Sequence, residues 1–434
     1  MPSAGVYRSV FAWDSGWHYF WLKELDPARA EEELLSLCSC ADSEGRLPHE
    51  TPLPGPKEYS LIRRTQLALL KRSFASTGAS WFIDPPSYLV AAADYLGAAG
   101  AGPSASGSRW AGKGEAIAGK GEAIAGKGEA IAGNGEASAG KGEAFAKVRD
   151  GALAALAWIE GNRRASFIDP AYGRFPALLH NLESGTDYSP SFDSVWGRPP
   201  FIQLRSVLNL PELERMGYSL KGATGCRLPL LFDPCFLALW LGSRRFLLPG
   251  RESEDLVEDF WRAFYDPEAG LFRQRAWLPG RGIEVSKAAT FSSLLPFLLF
   301  VEGRHGEEAK AGFARNGLPG RAFWEAELPS FNPGRGKPEK SLWRGACSWM
   351  NMLFCHASLL SAFGYDAERE LLVSRVEGRL SSGPAWEFLD PAKLGGGGAS
   401  PFSWNGLLLC MRNNASLCLC PPSSRTAASA GGKP

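Results

Sequence analysis

The run Asp233-Pro234-Cys235-Phe236-Leu237-Ala238-Leu239-Trp240-Leu241-Gly242-Ser243-Arg244-Arg245-Phe246-Leu247-Leu248 holds a helix start and a helix body in one stretch. An aspartate side chain can accept from the first free backbone N–H groups of a helix. Proline at the next position gives up only an N–H that would have no partner there. Asp26-Pro27 repeats the signal ahead of ARAEEELLSLCS. Apolar spacing of helical period marks further segments at 61–74, 86–96, 145–159, 252–264, 290–301, 306–315, 349–363, 367–379 and 402–411. Alternating, strand-like runs are nearly absent. About eleven helices with short Gly/Pro-rich connections predict an all-α fold, a toroid of helical hairpins. The (α/α)6 barrel, six inner and six outer helices, is such a toroid. An α-solenoid would show the same helices, but no structural repeat of about 30–45 residues is visible.

Residues 111–145 repeat every seven positions: AGKGEAI three times, then AGNGEAS and AGKGEAF. The period invites a coiled-coil reading, which fails on composition. Each unit carries two glycines, each costing about 1 kcal/mol relative to alanine in a helix. Each also has only one large apolar side chain or none. With the Gly/Ser/Pro stretch 97–108, the segment 98–146 reads as a flexible low-complexity insertion. The folded unit would then comprise 1–97 and 147–412, and 413–434 would be a disordered tail.

Composition narrows the function. Forty-seven Lys and Arg balance 46 Asp and Glu, which argues against a nucleic-acid binder and against attraction to an anionic membrane. The longest apolar stretch, 292–301, is too short to span a bilayer. The N-terminal MPSAGVYRSVFAWDSG lacks the charged and apolar regions of a signal peptide, so a cytoplasmic location is expected. Nine cysteines, an odd number, form no dense disulfide framework. The Cys38/Cys40 and Cys418/Cys420 pairs have no second pair at zinc spacing, so no metal site is expected.

Four clusters in the connections carry chemistry. Trp13-Asp14-Ser15-Gly16-Trp17-His18 sets a carboxylate beside indoles, which suits a sugar face and its hydroxyls and equally suits a helix start. Glu183-Ser184-Gly185-Thr186-Asp187-Tyr188-Ser189-Pro190, with Asp193 following, cannot form a regular helix. Asp187 has no Lys or Arg close in sequence, so burial could raise its pKa toward that of a general acid; a solvated turn would look the same. Trp343-Arg344-Gly345, then Trp349 and Asn351, could orient a carboxylate or a sugar hydroxyl. Trp386-Glu387-Phe388 stands ahead of Gly395–Gly398 and Phe402-Ser403-Trp404. There Glu387 could activate water, or could be a surface acid beside a flexible loop.

Order and spacing add what each cluster lacks. Trp13-Asp14-Ser15, Gly45-Arg46-Leu47-Pro48-His49-Glu50, Asp84-Pro85-Pro86, the 183–193 cluster, Trp343-Arg344-Gly345, Glu387 and Phe402-Ser403-Trp404 together resemble glycoside hydrolase family 63 and mannosylglycerate hydrolase-like proteins. These share a clan with mannosyl-oligosaccharide glucosidase and, more remotely, trehalase. The resemblance spans the chain apart from the repeat and the tail. It implies an (α/α)6 barrel with a one-ring pocket at one end, with Asp187 as general acid and Glu387 as general base. Inversion would place the two carboxyl groups roughly 6.5–9.5 Å apart. Tyr7, Trp13, Asp14, Asp84, Gly185, Trp343, Arg344, Gly345, Trp349 and Trp404 fall on or beside pocket positions. The implied activity is exo-hydrolysis of a small α-linked glucoside or mannoside, needing no cofactor. Its oligomeric state is left open.

The chain departs from the pattern at several points. Leu182 stands for the tryptophan before E-S-G, Tyr188 for an asparagine, Ser191-Phe192 for R-W, and Asp84 for a common glutamine. Ala346 and Ser348 replace Pro and Trp, with Trp349 shifted by one. The first barrel helix and an N-terminal β-sandwich have no counterpart before Trp13. A sugar-binding barrel that has lost catalysis, and a helical scaffold recruiting a partner through the repeat, are the competing readings.

Overall fold

The structure is a computed structural model that describes residues 9–53, 74–75, 79–100, 134–187, 189–333, 342–415, 417 and 419. Both Asp-Pro signals act as read. Asp26 accepts from the N–H groups of Ala28 and Arg29 at the head of Pro27–Cys40. Asp233 accepts from Phe236 N–H at the head of Pro234–Leu247. Each proline sits where a helix has N–H groups to spare.

Six largely buried segments pack in succession and close on themselves. Ala12–Leu25 packs on Ser87–Gly100, which packs on Pro234–Leu247. That helix meets the 3-10 segment Leu295–Phe300, then Met350–Ala362, then Leu407–Arg412, which returns to Ala12–Leu25. Amphipathic helices lie outside this ring: Pro27–Cys40, Asn134–Arg163, Arg251–Phe264, Gly306–Gly317 and Asp366–Ser381. Inner and outer elements alternate along the chain, giving a helical barrel. Arg251–Phe264 shows the outer pattern: Leu256, Val257, Phe260, Trp261 and Phe264 are buried, while Glu252 and Glu254 face solvent. Each such large apolar side chain contributes roughly 1.5–3 kcal/mol through burial.

The inner elements all begin at one end of the barrel. Trp13 N–H bonds to Asp84, just before Ser87–Gly100. Asp233 reaches Ser292, and Trp349 meets Trp404 at the heads of the last two inner helices. Four small antiparallel sheets of two or three strands decorate the barrel. Two of them matter for the site. Ser9–Phe11 pairs with Glu50–Pro52, and Phe388–Leu389 lies between Ser348–Trp349 and Gly396–Gly397.

Several sequence expectations need correction. Residues 290–301 form two 3-10 turns, Phe291–Ser293 and Leu295–Phe300, because Pro296 withholds the N–H an α-helix requires. The helix expected from Phe145 starts at Asn134, inside the fourth repeat unit, so the insertion boundary at 146 is too late. Helix propagates backward from the part buried against Ser87–Gly100, and the Glu143–Lys147 pair at i,i+4 assists. The boundary at 412/413 also fails: Leu417 and Leu419 are buried at 2% exposure each. Leu417 N–H bonds to Ser358 Oγ, and Leu419 lies against Gly242. Trp13-Asp14-Ser15 lies within Ala12–Leu25, whose N-cap is Phe11, so Asp14 is in the first turn rather than capping. The helices Phe201–Leu208 and Leu210–Arg215 were not anticipated. The expected helix 61–74 falls almost wholly outside the described residues, and the repeat before 134 lies outside them entirely. No helix among the described residues is long and apolar enough to cross a membrane.

Candidate active site

The turn carrying Asp187 is held from below. Glu183 is fully buried and ion-paired to Arg163 at 2.6 Å. It also accepts from Leu179 N–H at 2.7 Å and Ile83 N–H at 3.4 Å. Burial pushes the Glu183 carboxyl up and the Arg163 guanidinium down despite their mutual attraction, so desolvation governs the pair. Glu183 is therefore an anchor of the loop. Gly185 follows with φ +64°, and a Cβ there would lie 3.0 Å from the Trp13 ring and 3.1 Å from Pro85. Only glycine lets the loop turn at this point with the indole so close. Asp187, two residues on, is half-buried.

Glu387 approaches through the three-stranded sheet. Its backbone N–H donates to Ala399 O at 2.9 Å, and Ala399 N–H donates back to Glu387 Oε2 at 2.8 Å. The carboxylate lies against Gly398, whose φ is +80°. The four-glycine loop thus clasps the acid rather than merely flanking it.

Asp14, Asp84 and His49 form a third group of titratable side chains. Asp84 is buried, with Oδ2 accepting from Trp13 N–H at 2.9 Å and Oδ1 2.6 Å from His49 Nδ1. Asp84, aided by the charges of Asp187 and Glu50, outweighs burial and raises the His49 pKa to about 9. Asp14 is held well above the ordinary carboxyl range by burial and by the charges of Asp84 and Glu387. The charge of Asp187 acts on His49, and those of Glu387 and His49 act on Asp14, so the five groups form one electrostatic cluster. His49 was not singled out from sequence, although its signal lay in Gly45–Glu50.

Aromatic rings form one wall. Trp343 stacks on Trp349 at 3.9 Å, and Trp404 lies 6.4 and 6.2 Å from them. Phe388, next to Glu387, meets Trp349 at 5.1 Å. The one-residue shift of this tryptophan still delivers an indole to the stack. Arg344 gives both terminal nitrogens to Asp193, at 2.9 and 2.8 Å. It ties the 189–193 turn to the aromatic wall, and buried Gly345 follows it in the chain. His18 bridges Glu33 at 3.1 Å and Ser403 at 2.6 Å, fixing the Trp404 turn. The structure thus gathers Trp13, Asp14, Asp84, Gly185, Asp187, Trp343, Trp349, Glu387 and Trp404, while Tyr7 lies outside the described residues. The cysteines at 38, 40, 226, 235, 347, 355 and 410 carry free thiols and take no part here.

Six inner elements start at this end, around paired acids and a tryptophan wall. The fold is that of glycoside hydrolase family 63 structures. The mannosylglycerate hydrolase of Thermus thermophilus, solved with Tris and D-glycerate, superposes with a TM-score of 0.70 at 19% identity, covering 95% of each chain. The same enzyme with glucose gives 0.67 at 20% identity, again covering 95% of each chain. Neutral trehalase Nth1 from Saccharomyces cerevisiae gives 0.53 at 12% identity, covering 99% of this chain and 74% of that one. No family model matches the sequence, and no curated protein does.

Proposed function

We propose that this protein is an inverting, exo-acting glycoside hydrolase for a small α-linked glucoside or mannoside. Asp187 gives its proton to the glycosidic oxygen, and Glu387 takes one from a water on the opposite face of the ring. The anomeric carbon inverts as the C–O bond to the leaving group breaks and the bond to water oxygen forms. What supports this reading is the packing of the Asp187 turn on Trp13, through Gly185, and of the Glu387 strand on Trp349, through Phe388. Two acids from loops 200 residues apart thereby address one pocket with an indole wall. Trp343, Trp349, Trp404 and Trp13 would border the sugar and Asp14 would meet its hydroxyls, while Asp84 would act through His49. We read the barrel as (α/α)6, with one outer position, between the last inner helix and the first, unfilled among the described residues.

Proton NMR of the protein with methyl α-glucoside, methyl α-mannoside and mannosylglycerate tests this. Early β-anomer, lost in Asp187→Asn and Glu387→Gln, is expected. Early α-anomer, or turnover surviving both substitutions, would overturn it.

A further inference from the structure

Asp84 sets the chemistry of His49, with Oδ1 2.6 Å from Nδ1 of the ring. A neutral imidazole that donates from Nδ1 has an acceptor at Nε2; an imidazolium has donors at both. We propose that the Asp84–His49 couple is a positioning device that presents His49 Nε2–H as a charged donor to an acceptor oxygen of the bound ligand. An ether or carboxylate oxygen, with no proton of its own, fits that donor. The proposal rests on the glycosidase reading of the same pocket.

The geometry leaves the ring little choice. Asp84 cannot swing, since one oxygen holds His49 and the other holds Trp13 N–H. The His49 backbone is clamped at both ends, its N–H donating to Phe82 O at 2.8 Å and its carbonyl accepting from Ala12 N–H at 3.2 Å. Phe11 meets the ring edge-on at 5.6 Å. With Nδ1 committed to Asp84, Nε2 is the atom left for a ligand, and the side chain retains 19% exposure. The charged and titratable groups around it are Asp84, Glu50, Asp187, Asp14 and His180. Burial keeps His180 neutral, with its pKa down at about 4, so among these described side chains His49 is the cation.

Asp84→Asn separates the possibilities, because asparagine still accepts from Nδ1 but no longer holds the second proton. Nitrogen NMR of the imidazoles at pH 8.5 reads protonation. Calorimetric titration with methyl α-glucoside and methyl α-mannoside at pH 6 and 8.5 reads binding. The wild type should show both His49 nitrogens protonated at pH 8.5 and bind equally at the two pH values. The variant should show one protonated nitrogen and bind about 10-fold more weakly at pH 8.5 than at pH 6. A variant that binds with the pH profile of the wild type overturns the proposal and leaves the glycosidase reading standing. If neither protein binds or hydrolyses any glycoside while the imidazolium is seen, the glycosidase reading falls and the ligand role of His49 falls with it.

Discussion

Substituting Glu183 by Gln tests whether the loop bearing Asp187 depends on a buried anchor. The variant keeps a carbonyl oxygen for Leu179 N–H, which bonds Oε2, but removes the charge facing Arg163 at Oε1, where the weaker 3.4 Å contact from Ile83 N–H is also lost. Both side chains of the pair are 0% exposed, so the guanidinium is left buried without a counter-ion. Breaking a buried pair from one side costs about 3–5 kcal/mol, a large share of the roughly 5–15 kcal/mol that holds a domain folded. The double variant Arg163→Met/Glu183→Gln should recover most of that loss. Arg163 Nε and Nη1 have no hydrogen-bond partner among the described residues, so the wild-type pair is incompletely satisfied and desolvation weighs against it. Urea denaturation of wild type, both single variants and the double variant gives the coupling from the four midpoints. A Glu183→Gln variant within about 0.5 kcal/mol of wild type, the range of an ordinary surface substitution, would refute the anchor. So would a double variant no more stable than Glu183→Gln.

Gly398→Ala would set a Cβ 2.5 Å from Glu387 Oε2 at a φ of +80°. If Glu387 is the base proposed above, displacing it by about 1 Å should lower kcat about 100-fold with little change in ligand affinity, read by steady-state kinetics and calorimetry. Arg344→Lys loses the paired hydrogen bonds to Asp193 and should cost about 1.5–3 kcal/mol in denaturation, where a surface ion pair would cost a few tenths. Because His49 is raised in the fold from 6.5 to about 9, its contribution is fully present below pH 6.5 and fades as pH rises through 9. The span corresponds to roughly 3 kcal/mol at most, and His49→Gln should flatten that part of a stability-against-pH curve. Leu204→Ser, at a side chain 54% exposed on Phe201–Leu208, should leave stability within about 0.5 kcal/mol.

Much of the barrel is legible because its signals are local. Asp26-Pro27 and Asp233-Pro234 state where helices begin, and the 3.6-residue period states which faces are buried. The turns at 290–301 escaped because Phe291, Leu294, Leu295 and Leu298 satisfy the helical spacing, and only Pro296 speaks against an α-helix there. The two carboxylates were legible as acids in irregular loops, but not the apparatus that holds them. Glu183 looks like Asp187 in sequence. Only burial against Arg163, 20 residues earlier, distinguishes Glu183 from the half-buried Asp187. His49 meets Asp84 across 35 residues, and Arg344 meets Asp193 across 151, so neither pairing has a local signature. The tail boundary failed for the same reason. The stretch after 412 reads as polar connection, whereas Leu417 and Leu419 find their partners on helices far back in the chain.

Ring closure also bears on biogenesis. His18 bonds Ser403 across 385 residues, and Glu24 bonds Asn413 across 389. The helix synthesised near the beginning must wait for one synthesised near the end, with its inner flank unsealed until then. Such non-local pairing slows folding and leaves apolar surface open to association while the ribosome is still translating. The same late event swings Trp404 against the other indoles. A nascent chain would acquire its barrel and its complete aromatic wall together, after residue 413 has emerged.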